Sequence, residues 1–173
     1  MSEHQEEKET PMTAILHAVP VPFFEPEFVS QLTAIFEERI AFNRVIGLRI
    51  GELSPEGVSG RLEMRPELIG HYTHQRLHGG VISAALDAMG SLAVMAAIGA
   101  RHMDETPEAR LARFAKLSTI DLRIDYLRPG IGERFEMRAQ VMRLGSRVAS
   151  TRMEFVGADG RLLSSGAAAY IVS

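Results

Sequence analysis

The run HGGVISAALDAMGSLAVMAA, His78 to Ala97, constrains this chain more than any other stretch, because it is almost wholly apolar and carries a single carboxylate, Asp87. Its Ala, Leu and Met content favours a helix. The stretch from Gly79 to Ala100 is long enough to span a bilayer. Small residues dominate it, however, and a mid-span Asp costs about 2.5–3.5 kcal/mol on insertion scales. We therefore expect a soluble core helix, with no membrane partner. Ala84, Ala85, Ala88, Gly90, Ala93, Ala96 and Ala97 would let a sheet approach it closely. Only Ser83, Asp87 and Ser91 are polar between Val81 and Ile98, and their spacing of four puts them on one narrow stripe.

A helix that is apolar nearly all round must be wrapped by something. Downstream, TIDLRIDYLRP places Ile120, Leu122, Ile124 and Tyr126 in alternation with Thr119, Asp121, Arg123 and Asp125, the pattern of a strand with one buried face. RFEMRAQVM, VASTRMEFV and RLLSSGAAAYIV repeat the pattern, separated by PGIG, LGS and GADG, so four successive strands are expected to form an antiparallel meander. Upstream, GLRIGEL and GVSGRLEM flank SPEG and predict a hairpin. Phe28, Val29, Leu32, Ile35, Phe36 and Ile40 recur at helical spacing from Pro26 to about Phe42. The polar segment RHMDETPEARLARFAK reads as a loop with one short helical piece. The expected architecture is α+β: about six antiparallel strands curved around one long central helix, with an N-terminal helical extension.

At 173 residues, 46% hydrophobic and 24% charged, the chain is of a size for one domain. That domain is expected over 26–173, after a mobile tail and a proline-broken extended strap over 1–25. The net charge of −3 is spread over both signs, so nothing in it asks for nucleic acid. The chain has no cysteine, hence no disulfide framework and no thiol nucleophile. MSEHQEEKET is acidic where a signal peptide is basic, and a cytoplasmic location is expected.

Two readings of Asp87 compete at this level. It could bond neighbouring hydroxyls as a satisfied structural carboxylate, or it could line a site, since buried acids are rare unless paired and enzymes exploit them. Gly79 and Gly80 stand at the start of the helix. There, unpaired backbone N–H groups at the positive end of the dipole can hold an anion or a developing oxyanion. A tight entry turn would use the same glycines.

LHGGVISAALDAMG, followed by STIDLRIDYLRPG and RLGSRVASTRMEFVGADGRLLSSGAAAYIV, resembles the hotdog-fold acyl-CoA thioesterases of the 4-hydroxybenzoyl-CoA and phenylacetyl-CoA (PaaI-like) type. The resemblance covers roughly residues 45 to 172. It implies hydrolysis of acyl-CoA to free acid and CoA, with medium- or long-chain acyl groups. Asp87 would be the nucleophile or the general base, and the Gly79 N–H, beside His78, would polarise the thioester carbonyl. Thr119 matches a Ser or Thr that often positions water. Active sites of this type form between two subunits, which implies a homodimer or tetramer in which Asp87 faces the partner's Gly79.

CoA would be part of the substrate and no separate cofactor is implied. His71, His74 and His78 lack a ligand spacing that would suggest a metal. Many relatives carry Asn or Gln shortly before the His-Gly-Gly, where this chain has His71 and Gln75 as the candidates. CoA phosphates favour arginine, and Arg128, Arg143, Ser146 and Arg147 at the strand ends are the candidates to bind them. Met89, Leu92, Met95, Phe23 and Phe24 could line an acyl tunnel or be ordinary core. The alternative function is a non-catalytic acyl-CoA-binding or regulatory hotdog protein, which would have no need of a carboxylate beside the carbonyl.

Overall fold

The protein is described over residues 23–173 by a computed structural model, so most of the expected tail and strap lies outside the described residues. The chain enters through α1 (Pro26–Ala34), with Pro26 in its first turn. Phe28, Leu32 and Phe36 are fully buried on one side of this segment. The single helix expected to Phe42 is interrupted. Ile35–Arg39 winds as a π-turn closed by Ile40 N–H on the Ile35 carbonyl at 3.0 Å. Ile40 is extended, and a new helix, α2 (Ala41–Ile46), begins. The break frees the Phe36 carbonyl, and buried Asn43 donates to it at 3.0 Å, which satisfies the orphan acceptor. Gly47 ends α2 at φ +75, the left-handed stop that favours glycine.

Strands β1 (Arg49–Leu53) and β2 (Val58–Glu63) form the expected hairpin. The long helix α3 (Gly79–Arg101) follows, then α4 (Pro107–Ala112) inside the polar segment. The remaining strands are β5 (Ser118–Tyr126), β6 (Arg134–Leu144), β7 (Val148–Gly157) and β8 (Leu162–Ile171). Two further strands, β3 (Ile69–His71) and β4 (Arg76–Leu77), make a small separate hairpin just before α3. It was not expected, because neither strand is long enough to show a period.

The main sheet is antiparallel, in the order β1-β2-β6-β7-β8-β5. Strands β6, β7 and β8 are a meander, but β5 is not its first strand. It pairs with β8 at the far edge, and residues 127–133 carry the chain back to the middle of the sheet. This crossing is pinned at the start of α3, where the Leu77 N–H donates to Gly130 at 2.9 Å, and at β8, where Leu127 and Arg128 N–H groups both donate to Leu163 at 2.9 Å. Alternation reports which face of a strand is buried and says nothing of which strand lies beside it.

Helix α3 lies in the concavity of the sheet, against β6 and β7 and also β2, β8 and β5. Ile82, Leu86, Met89, Leu92, Val94 and Met95 are buried there. The span considered at the sequence level is thus the core helix, with 67% of its most apolar window buried. Met89, Leu92 and Met95 are wholly inaccessible core residues and line no tunnel, while Phe24 is buried against Phe28.

Close approach of helices is set by Gly99. A Cβ there would lie 2.5 Å from Phe28 Cζ. The Phe28 ring has no room to retreat, being packed on Phe24 and under the buried Arg110 guanidinium at 4.4 Å. Gly99→Ala is therefore expected to overpack the α1–α3 contact at a cost of about 1–3 kcal/mol. In a thermal melt this should lower the Tm by about 2–12 °C.

Candidate active site

Of the α3 surface, one stripe is left uncovered by the sheet. Val81, Ser83, Ala84, Asp87, Ala88 and Ser91 are half-buried while their neighbours are sealed. Asp87 is thus less buried than the apolar surround suggested, since the polar stripe coincides with the face the sheet does not reach. Its carboxylate is held nonetheless. Thr119 Oγ1 donates to Asp87 Oδ1 at 2.9 Å, and the Tyr170 hydroxyl reaches the same Oδ1 at 3.1 Å and the Asp87 carbonyl at 3.1 Å.

Thr119 gets there through a bulge. In β5, Thr119 pairs with Tyr170 but Asp121 pairs with Ala169, so Ile120 is an extra residue. Strict alternation had put Thr119 on the face opposite Leu122 and Ile124. The extra residue resets the phase, so that Thr119 joins them on the helix side and Ile120 is left 57% exposed. Only the bulge brings the hydroxyl to Asp87.

Tyr170 is the residue that periodicity did not single out. It is fully buried on β8, and burial, followed by the charge of Asp87, pushes its phenol well above the usual range. It therefore stays protonated and acts as a donor. Gly90 makes room for it, since a Cβ at Gly90 would lie 2.2 Å from the Tyr170 hydroxyl oxygen. The available signals were a glycine one turn after Asp87 and a lone aromatic in the alanine-rich strand GAAAYIV.

The start of α3 is built for a different task. His78 is its N-cap, and its Nδ1 accepts from the Gly80 N–H at 2.8 Å. The Tyr126 hydroxyl donates to the Gly79 carbonyl at 2.9 Å. Among the described residues, the Gly79 N–H finds no acceptor, leaving one donor at the positive end of the helix dipole. Gly79 and Asp87 are eight positions apart, about 12 Å along the helix axis. A thioester carbonyl held by one cannot meet the other in the same chain.

The remaining candidates divide. His71 is exposed, its Nδ1 3.2 Å from Thr73 Oγ1 and its ring stacked 4.8 Å from that of His74. Gln75, at φ +49, donates to the Tyr72 carbonyl at 2.8 Å. Both belong to the turn of the small hairpin. Arg128 donates to the Leu162 carbonyl at 2.8 Å, beside the start of α3. Arg143, Ser146 and Arg147 lie at the other end, where Arg101 of the last α3 turn donates to Leu144 and the Val172 N–H donates to Arg147. The four do not gather within one chain, because α3 is about 34 Å long. Ser146 borders a cleft of about 430 Å³ with Arg113, Lys116 and Val172.

Residues 74–164 match the family model described as the thioesterase superfamily. The chain belongs to that superfamily. It is 33% identical over 138 residues to the medium/long-chain acyl-CoA thioesterase YigI of Escherichia coli, an alignment covering 80% of this chain and 89% of the relative. A crystal structure from Shewanella oneidensis, of a protein related to the thioesterase superfamily, is similar at 37% identity with a TM-score of 0.80, over 85% of this chain and 96% of that one. Zebrafish thioesterase superfamily member 2 shares the fold at 20% identity and a TM-score of 0.66, over 84% and 96% of the two chains. The six-stranded antiparallel sheet around one long helix is thus the hotdog architecture of thioesterases, and the protein is read as an enzyme of that class.

Proposed function

We propose that this protein hydrolyses medium- or long-chain acyl-CoA to the free acid and CoA, with Asp87 as the general base. The observation that carries the reading is the Asp87 carboxylate, anchored by Thr119 yet lying on the open stripe of α3. In the proposed step, Asp87 takes a proton from a water whose oxygen attacks the thioester carbon. The carbonyl electrons move onto oxygen, where a Gly79 N–H stabilises the charge. Collapse then expels the CoA thiolate, a leaving group that needs no strong acid. The Thr119 hydroxyl, donating to Asp87, keeps its lone pairs for that water.

Because about 12 Å separates Gly79 from Asp87 in one chain, the donor must come from a second copy. The two sheet edges differ in a way that fits. At β1, the outward Ile50 N–H is taken by Glu37 Oε1 at 2.6 Å, and Arg49 is tied to Glu37 Oε2 at 2.9 Å. At β5, Ile120, Tyr126 and Leu127 are more than half exposed, as an edge awaiting a partner is. Pairing β5 antiparallel with its copy about Leu122 and Arg123 sets Thr119 opposite the partner's Tyr126. One copy's Asp87 then lies beside the other's Gly79. The same pairing gives each site Arg143, Ser146 and Arg147 from one chain and Arg128 from the other as contacts for CoA phosphates. The alanines flanking Asp87 leave room for an alkyl chain along α3.

The test is thiol release from acyl-CoAs of short, medium and long chain and an aryl-CoA. Turnover that rises from short to medium or long chains is expected. Tight acyl-CoA binding with no thiol released from any of them would replace the enzyme by a carrier or sensor.

A further inference from the structure

We infer that Tyr170 is a positioning residue that, with Thr119, fixes one oxygen of Asp87 and so assigns the reaction to the other. The inference rests on Asp87 being the base and names how that base is aimed. Both side-chain bonds to the carboxylate end on Oδ1, from Thr119 at 2.9 Å and Tyr170 at 3.1 Å. Among the described residues, Oδ2 receives none. An oxygen that already accepts two hydrogen bonds has little lone-pair density left for a water proton. The unencumbered oxygen keeps it.

The two donors come from strands paired at this level, Thr119 on β5 opposite Tyr170 on β8. The pairing fixes the register of their backbones, so both side chains start from the same level of the sheet. The one Tyr170 hydroxyl proton is shared between Oδ1 and the Asp87 carbonyl, each at 3.1 Å, which ties the side chain to its own helix turn. Its path exists because residue 90 is glycine, where any Cβ would stand 2.2 Å from the hydroxyl oxygen. Fully buried at the end of β8, Tyr170 does not reach the open stripe, so it acts on substrate only through Asp87. The groups bonded to Asp87 from the elements packed around it are these two hydroxyls. Among the described residues it has no salt-bridge partner.

The test compares Tyr170→Phe, which keeps the ring, with wild type in kcat, KM and thermal melt for an acyl-CoA that the wild type turns over. Loss of the bond should lower kcat about tenfold with little change in KM. A hydroxyl that merely helped packing would lower the Tm and leave kcat close to wild type. Gly90→Ala is the second variant, because it displaces the hydroxyl while leaving Tyr170 in the chain; the same fall in kcat at little-changed KM is expected. If neither variant lowers kcat while Asp87→Asn is inactive, the positioning role is overturned and the base stands. If Asp87→Asn itself keeps wild-type turnover, both assignments are overturned.

Discussion

Asp87→Asn is expected to leave a folded protein whose thiol release is about 10³-fold slower than wild type. The substitution is isosteric, and the amide oxygen can accept from Thr119 and Tyr170 as the carboxylate oxygen does now. The local bonds and the packing of α3 are therefore retained. What is lost is the capacity to take a proton, which is required in the transition state and not for binding. The loss should fall on kcat and kcat/KM together, with acyl-CoA affinity close to wild type. A direct binding measurement on the variant, beside its kinetics and its thermal melt, checks each part. An Asn variant with undiminished kcat would return Asp87 to the structural reading left open at the sequence level.

The second large effect is expected at Gly79, where a backbone N–H can be removed by a side-chain substitution. Proline is well suited to the first position of a helix, since the N–H it lacks is an orphan there. His78, at φ −65 and ψ 132, already has the extended conformation that a following proline demands. Gly79→Pro should therefore preserve α3, with a small adjustment of the Tyr126 ring that lies 3.3 Å from a Cβ at this position. Turnover should fall by about 10²–10³ if this N–H is the oxyanion donor. Gly79→Ala, which keeps the N–H, is the control and should retain most of the rate.

The same pair of variants tests whether the site is shared. In a mixed population of Asp87→Asn and Gly79→Pro chains, half of the dimers contain one of each, and one of their two sites combines an intact Asp87 with an intact Gly79. Refolding or coexpressing the two inactive variants in equal amounts should restore about a quarter of wild-type turnover. A mixture of chains that demonstrably exchange subunits, yet remains inactive, would place both groups of each site on one chain.

Much of this was legible in the sequence because it is local. The length and apolarity of α3, the strands from β5 to β8 and the hairpin of β1 and β2 follow from periodicity over a few residues. So does the stripe of Ser83, Asp87 and Ser91, which proved to be the uncovered face of the helix. The helix expected to continue to Phe42 failed for a reason that periodicity does not report. A π-turn holds the apolar spacing of Ile35, Phe36 and Ile40 nearly unchanged while its hydrogen bonds shift by one residue.

Short windows of the chain carry the list of parts and their chemistry: a core helix with one acid, a glycine entry with a spare N–H, and strands with one greasy face. Which parts meet follows from how the strands pair. The bulge at Ile120 turned Thr119 toward Asp87, and β8 brought Tyr170 to the same carboxylate from 83 residues away. The path of β5 to the far edge left that strand open, while Glu37 closed the other edge. These outcomes depend on register and on which strand neighbours which. Both are set by the competition of long-range pairings for the whole chain, and no window of a few residues contains them.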